Sequence, residues 1–154
     1  MRIEGHGIAV EPPPGWSAQI YRRSPGPGET SAPTLHAATV PLPANRADFG
    51  SDVAARLGPS DVLVVLFGYG PASVGRPLFA AQGLPRPAGS EFNPRALQRT
   101  LPGQAGYQRF FTWHRRPFCL YVVIGSYRQR AALAVRARAL LDTVRVAPIG
   151  AGVA

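Results

Sequence analysis

Apolar and polar positions alternate most clearly in the last third of the chain, residues 106–146. Residues 107–113 and 118–124 are rich in aromatic and β-branched side chains and flank the polar stretch 114–117, which predicts a β-hairpin. Residues 118–124 are apolar on both alternating faces, the pattern of a central strand covered on each side. Ser126 stands three residues before Gln129, the spacing at which a hydroxyl takes the Gln N–H and the Gln side chain reaches back, so a helix is expected to start there. Leu133, Ala137, Leu140, Leu141 and Val144 then form one stripe of period 3.6, with Arg138 and Arg145 pointing away. That stripe predicts one long amphipathic helix lying on the sheet.

Upstream, residues 7–10 and 17–21 read as two short strands joined by the proline-rich turn 11–16, with Trp16 returning to the core. Residues 24–33 hold three prolines and two glycines and read as a loop, and residues 34–40 resume as a strand. A short helix is expected over 48–58, with Asp48 or Ser51 as cap, Asp52 in its first turn and Gly58-Pro59 as its stop. Residues 61–67 read as a buried central strand, residues 77–80 as a short strand in a loop-rich region, and Asn93-Pro94 as the start of one or two helical turns. Together these elements predict an α+β fold: a mostly antiparallel sheet of six or seven strands, short helices in the middle and the long helix last on top. Residues 1–148 are expected to form a single domain and 149–154 a flexible tail. If subunits pair, strand 34–40 is the expected exposed edge.

Composition adds three constraints. At 154 residues and 45% hydrophobic the chain can build a core without disulfide or metal staples. No apolar run of signal-peptide or membrane-spanning length is found, and the single cysteine, Cys119, forms no internal disulfide, so a cytoplasmic protein without membrane insertion is expected. The net charge of +9 comes entirely from arginine, with no lysine, beside 17 glycines and 17 prolines. GC-rich coding supplies much of such an excess without any anionic partner, although the charge admits nucleic acid as one.

Enzyme chemistries find little to stand on. The eight acids are scattered, and several have local duties at helix or strand starts. His6, His36 and His114 lack metal-ligand spacing, so no metal or cofactor is expected. Cys119 lies in a core strand and reads as a buried apolar residue rather than a nucleophile. Residues 68–77 superficially invite a phosphate-loop reading. Arg76-Pro77 stands where a Walker loop needs Lys and Ser/Thr, and Ser73 where a dinucleotide fingerprint needs glycine. The best candidate surface is Arg109, Arg115 and Arg116 with Tyr107, Phe111 and Trp113, since arginines beside aromatics can pair phosphates while stacking bases. A core-facing aromatic row with an exposed basic turn is the expected form of this cluster.

The opening stretch Gly7-Ile-Ala-Val-Glu-Pro-Pro-Pro-Gly-Trp16 and the closing strand pair, helix 131–141 and Asp-Thr-Val-Arg-Val146 resemble the PsbP-like fold family. The whole chain also resembles uncharacterised bacterial proteins sharing phrases such as Ile20-Tyr-Arg-Arg23 and Phe118-Cys-Leu-Tyr-Val-Val123. Because that family's members dock to protein complexes, the resemblance implies a non-enzymatic binding or assembly module. A protein partner is therefore expected, held through Arg109, Arg115, Arg116, Tyr107 and Trp113, with nucleic-acid or anion binding on the same surface as the alternative.

Overall fold

The computed structural model describes residues 1–22, 32–43 and 51–148. Among these residues eight antiparallel strands form two sheets. The smaller joins β1 (Ile3–Gly5), β2 (Ile8–Val10) and the C-terminal β8 (Arg145–Val146), in the order β1-β2-β8. The larger takes β3 (Ser17–Arg22), β4 (Pro33–Ala38), β5 (Val62–Gly68), β6 (Ala105–Trp113) and β7 (Arg116–Ile124) in the order β3-β4-β5-β7-β6. A helical turn, α1 (Ser51–Ala54), and one helix, α2 (Arg130–Leu141), complete the regular elements of the described residues, with 3-10 turns between β5 and β6. The α+β class follows the sequence pattern, and the strands divide between two sheets because β8 returns to pair with β2.

The predicted hairpin is β6–β7, with Trp113 opposite Arg116. Its turn is tighter than the polar stretch suggested: only His114 and Arg115 lie outside the strands, both with positive φ (51° and 64°), as in the two-residue turns whose twist matches the flanking strands. Strand β7 runs between β5 and β6 and is buried from Pro117 to its end, which is why both of its faces are apolar. Its Phe118, Leu120, Val122 and Ile124 face the main core under α2, and Tyr121 and Val123 face a second core with Leu63, Val65, Ala38 and Val53.

Several expectations are corrected. The helical stripe is buried as predicted, from Leu133 to Val144, but α2 has only 12 residues and is not long. Ser126 Oγ does accept the Gln129 N–H (3.3 Å), yet residues 126–130 close as i→i+3 turns and the Tyr127 N–H is drawn to Gly103 O (2.7 Å). The first i→i+4 bond, Leu133 N–H to Gln129 O, therefore comes a turn later. At the other end Val144 already lies beyond the helix, where the chain turns into β8.

The opening strands β2 and β3 do not pair with each other: β2 pairs with β1 and β8, and β3 with β4. Strand β4 is interior rather than an exposed edge, flanked by β3 and β5. Pro77–Phe79 is a 3-10 turn, since Pro77 fixes a helical φ and Ala80 N–H closes on its carbonyl, so no strand forms there. Asn93 does not start a helix. Its side chain takes the Arg95 N–H (2.8 Å) and its backbone exchanges two bonds with Gly106, which holds the chain in a single turn against β6. Only glycine fits at 106, because a Cβ there would collide with the Ala96 carbonyl oxygen. The loop predicted at 24–33, the Asp48 cap and the tail 149–154 fall wholly or largely outside the described residues.

Leu140 is fully buried where α2 meets the sheet. Leu140→Ala is expected to lower the unfolding free energy by about 2–5 kcal/mol, read from the urea midpoint at unchanged slope.

Candidate functional site

The β6–β7 hairpin carries every residue of the candidate arginine-aromatic surface, but the fold assigns them different duties. Even positions of β7 and odd positions of β6 face the main core, which buries Tyr107 and Phe111 and half-buries Trp113. Phe111 stacks on Phe118 with centroids 5.7 Å apart, and Phe92 packs against Tyr107 at 6.1 Å. Burial raises the Tyr107 phenol pKa, and the Glu91 carboxylate adds to this, while the adjacent Arg109 guanidinium pulls it back. Arg109 itself is exposed on the outermost strand, and Arg115 is exposed at the turn.

Arg116 is not part of an exposed basic turn. It is the first residue of β7, lies over the Phe118 ring (5.2 Å to the centroid), and donates to three carbonyls: Gly7 O at 3.2 Å, His6 O at 3.4 Å and Ala147 O at 3.4 Å. Burial, and next the charge of Arg22, lower its pKa. A guanidinium with five donors in a planar fork can hold three carbonyls at once, and here it ties the larger sheet to the β1–β2 turn and the chain beyond β8. Arg116 is therefore a staple, and sequence reasoning missed this because its acceptors lie more than 100 residues upstream and 31 downstream.

Beside Trp113 lies an open cleft of about 260 Å³, floored by Leu84, Leu141 and Val144 and rimmed by Arg86, Asp142 and Arg145. Its charges are already engaged. Arg86 pairs with Asp142 at 2.7 Å, and Arg145 donates to the carbonyls of Asp142 and Val144 at 2.8 Å each. Asp61 is likewise occupied, accepting from Thr39 and from the Gly58 N–H (2.8 Å each), and Glu91 accepts the Ala88 N–H at 2.7 Å. Among the described residues no three His, Cys, Asp or Glu side chains converge as metal ligands. His6 and His114 sit exposed at turns with positive φ. His36 is buried, its Nε2 3.2 Å from the Tyr21 hydroxyl, a pairing across β3 and β4 that the sequence did not suggest.

Cys119 is fully buried in β7, as its flanking residues predicted. Burial pushes its thiol up to about 11, against hydrogen bonds from the Gln108 side chain and the Arg109 backbone that pull it down. A thiol held protonated in this way is a poor nucleophile.

No protein-family model, curated protein or solved structure matches this chain. Among the described residues no helix is long and apolar enough to cross a membrane.

Because the folded-state thiol pKa is raised, the stability it contributes is complete below about pH 9 and is lost as pH rises toward 11. Native protein at pH 8 should leave Cys119 unreacted with a thiol reagent that labels it fully in denaturant. Cys119→Ala should lessen the fall of Tm between pH 9 and 11, the remainder coming from Tyr107 and Tyr121, whose pKa values burial also raises. Arg116→Met should cost about 1–2 kcal/mol in a denaturant titration by removing the guanidinium's bonds to His6 O and Ala147 O and its contact over the Phe118 ring, Gly7 O keeping the Ala147 N–H, whereas Arg115→Met should stay within about 0.5 kcal/mol.

Proposed function

We propose that this domain is a non-enzymatic protein-binding or assembly module, docking its partner along the arginine-bearing edge and turn of the β6–β7 hairpin. The observation behind this is the contrast within one hairpin: Arg116 and the aromatic row are committed to the core, whereas Arg109 and Arg115 stand exposed on a strand and a two-residue turn and form no ion pair among the described residues. Cations presented from a packed hairpin bind without first ordering a loop, and such rim charges select and steer partners of opposite sign. The docking roles implied by the PsbP-like resemblance agree with this reading. A single thiol, buried and without a disulfide partner, suits a reducing compartment, so the cytoplasm is part of the proposal.

The nucleic-acid alternative is less well served. Stacking bases needs open ring faces, but Tyr107 and Phe111 are buried, and the guanidinium of Arg116 is spent on carbonyls. Much of the formal charge is engaged in the same way: Arg56, Arg76, Arg130, Arg136, Arg138 and Arg145 also donate to backbone carbonyls.

The test compares wild type with the double variant Arg109→Glu/Arg115→Glu. Wild type should hold a protein partner in fixed stoichiometry after nuclease treatment, and the charge reversal should release it while leaving Tm within a few degrees. A labelled single-stranded oligonucleotide should give a flat titration at ~50 mM salt. Binding that falls linearly with the logarithm of salt concentration would transfer the assignment to nucleic acid, and turnover of a substrate lost on changing one side chain would sink the non-enzymatic reading.

A further inference from the structure

Strand β6 is an outer strand of the larger sheet, and among the described residues the chain seals its free side at two points. At one end Gly106 exchanges two backbone hydrogen bonds with Asn93, both 2.9 Å. At the other the Thr112 N–H donates to Ala81 O at 2.7 Å, and its carbonyl accepts the Gly83 N–H at 2.8 Å. In an antiparallel ladder alternate residues turn both backbone groups to the same side. Gly106 and Thr112 turn outward, so the residues of like parity between them, Gln108 and Phe110, turn their N–H and C=O groups outward as well. No backbone or side chain among the described residues meets those four groups. The result is an open window of β-edge, opposite residues 107–111, closed at both ends.

The side chains around the window define what fits. Arg109 lies at its centre, exposed and without an ion pair among the described residues, and Arg95 stands exposed just past Asn93 at the Gly106 end. Glu91, the acid near Tyr107, is bound to the Ala88 N–H. On the opposite face, half-buried Phe110 packs edge-on against Phe79 (5.6 Å between centroids) and lies 6.1 Å from Tyr69. A segment pairing with Gln108 and Phe110 places its middle residue directly opposite Arg109, on the same face and at the closer of the two cross-strand spacings. A second copy of this chain is a poor occupant, because setting Gln108 against Phe110 of the copy sets Arg109 against its own counterpart.

We infer that the open middle of β6 is a strand-addition site for a short, extended acidic segment of a partner protein, with the acidic residue opposite Arg109 and an apolar neighbour against Phe110. This rests on the docking reading above and names the partner's chemistry. The two seals limit the segment to about five residues, since a strand advances ~3.3 Å per residue.

The experiment uses the full chain labelled with nitrogen-15 and a capped peptide, threonine-valine-glutamate-valine-threonine, titrated to roughly 5 mM so that a Kd near 1 mM is measurable. The glutamate peptide should shift the amide resonances of Gln108 and Phe110 and slow their exchange with solvent. The same peptide with lysine in place of glutamate should bind about tenfold more weakly, and Arg109→Glu should reverse that order. Gln108→Pro removes one outward N–H, leaves the inward ladder to β7 unbroken, and should abolish binding with α2 and the sheet intact by circular dichroism. Equal binding of the two peptides, shifts confined to the Trp113 cleft, or no binding in wild type would each overturn the inference. Partner capture that survives Gln108→Pro but is lost in the double charge reversal would overturn the edge site while leaving the docking reading standing. Peptide binding with no captured partner would have the opposite meaning.

Discussion

The fold depends on β7 being covered on both faces and paired on both edges. Its even residues close the core beneath α2, and its odd residues close a second core around Tyr121 and Val123. A strand in that position has no room for polar chemistry, and Cys119, the one thiol in the chain, is silenced by the same burial that stabilises the sheet. Each neighbour takes its place from β7. Strand β5 lies against it over Val62 to Gly68, β6 reaches it through a two-residue turn, and α2 follows it after a tight i→i+3 turn. With β7 fixed, whatever the hairpin offers to a partner is confined to β6's outer edge and to the turn.

Arginine does unusual work in this chain. With only eight acids available, ion pairing cannot absorb 17 guanidinium groups. The structure instead sends several of them to carbonyl oxygens at the ends of elements: Arg138 to Pro87, Arg145 to Asp142 beyond the end of α2, and Arg116 to the His6-Gly7 turn. A delocalised, weakly hydrated cation suits that task better than an ammonium, because it presents several donors without a large desolvation cost. The high net charge is thus partly structural. The arginines that neither pair with an acid nor donate to a carbonyl among the described residues, Arg115 at the turn and Arg109 beside the Tyr107 phenol among them, are the ones placed to meet a partner.

The sequence made the local elements legible and hid the long-range ones. The hairpin, the central strand at residues 61–67 and the buried helical stripe were readable because period and turn chemistry are local properties. The helix start is displaced because residues 126–130 close as i→i+3 turns, with the Arg130 N–H on Tyr127 O, so the first i→i+4 bond waits until Leu133. The division into two sheets was invisible, since β8 has two residues and finds β2 across the length of the chain. Among the candidate site residues, Tyr107 and Trp113 proved to belong to the core-facing row, as alternation along the strand implied. Arg116 looked like a turn residue only because the two-residue turn ends two positions earlier than composition suggested.

An outer strand that is closed at both ends and open in the middle poses a physical question. Free N–H and C=O groups on a sheet edge invite pairing with any extended chain, and proteins ordinarily remove that hazard by covering the edge or placing a charge on it. Here the charge does two things at once. Arg109 makes the edge repel a second copy of itself, where two arginines would face each other across the new ladder, so pairing of two copies in that register is disfavoured. The same guanidinium lowers the cost of pairing only for a segment that brings a carboxylate. Protection against aggregation and selection of a partner are then one electrostatic property, located at one residue, and it is the two flanking seals at Asn93 and Ala81 that keep the exposed stretch short enough for a single charge to govern it.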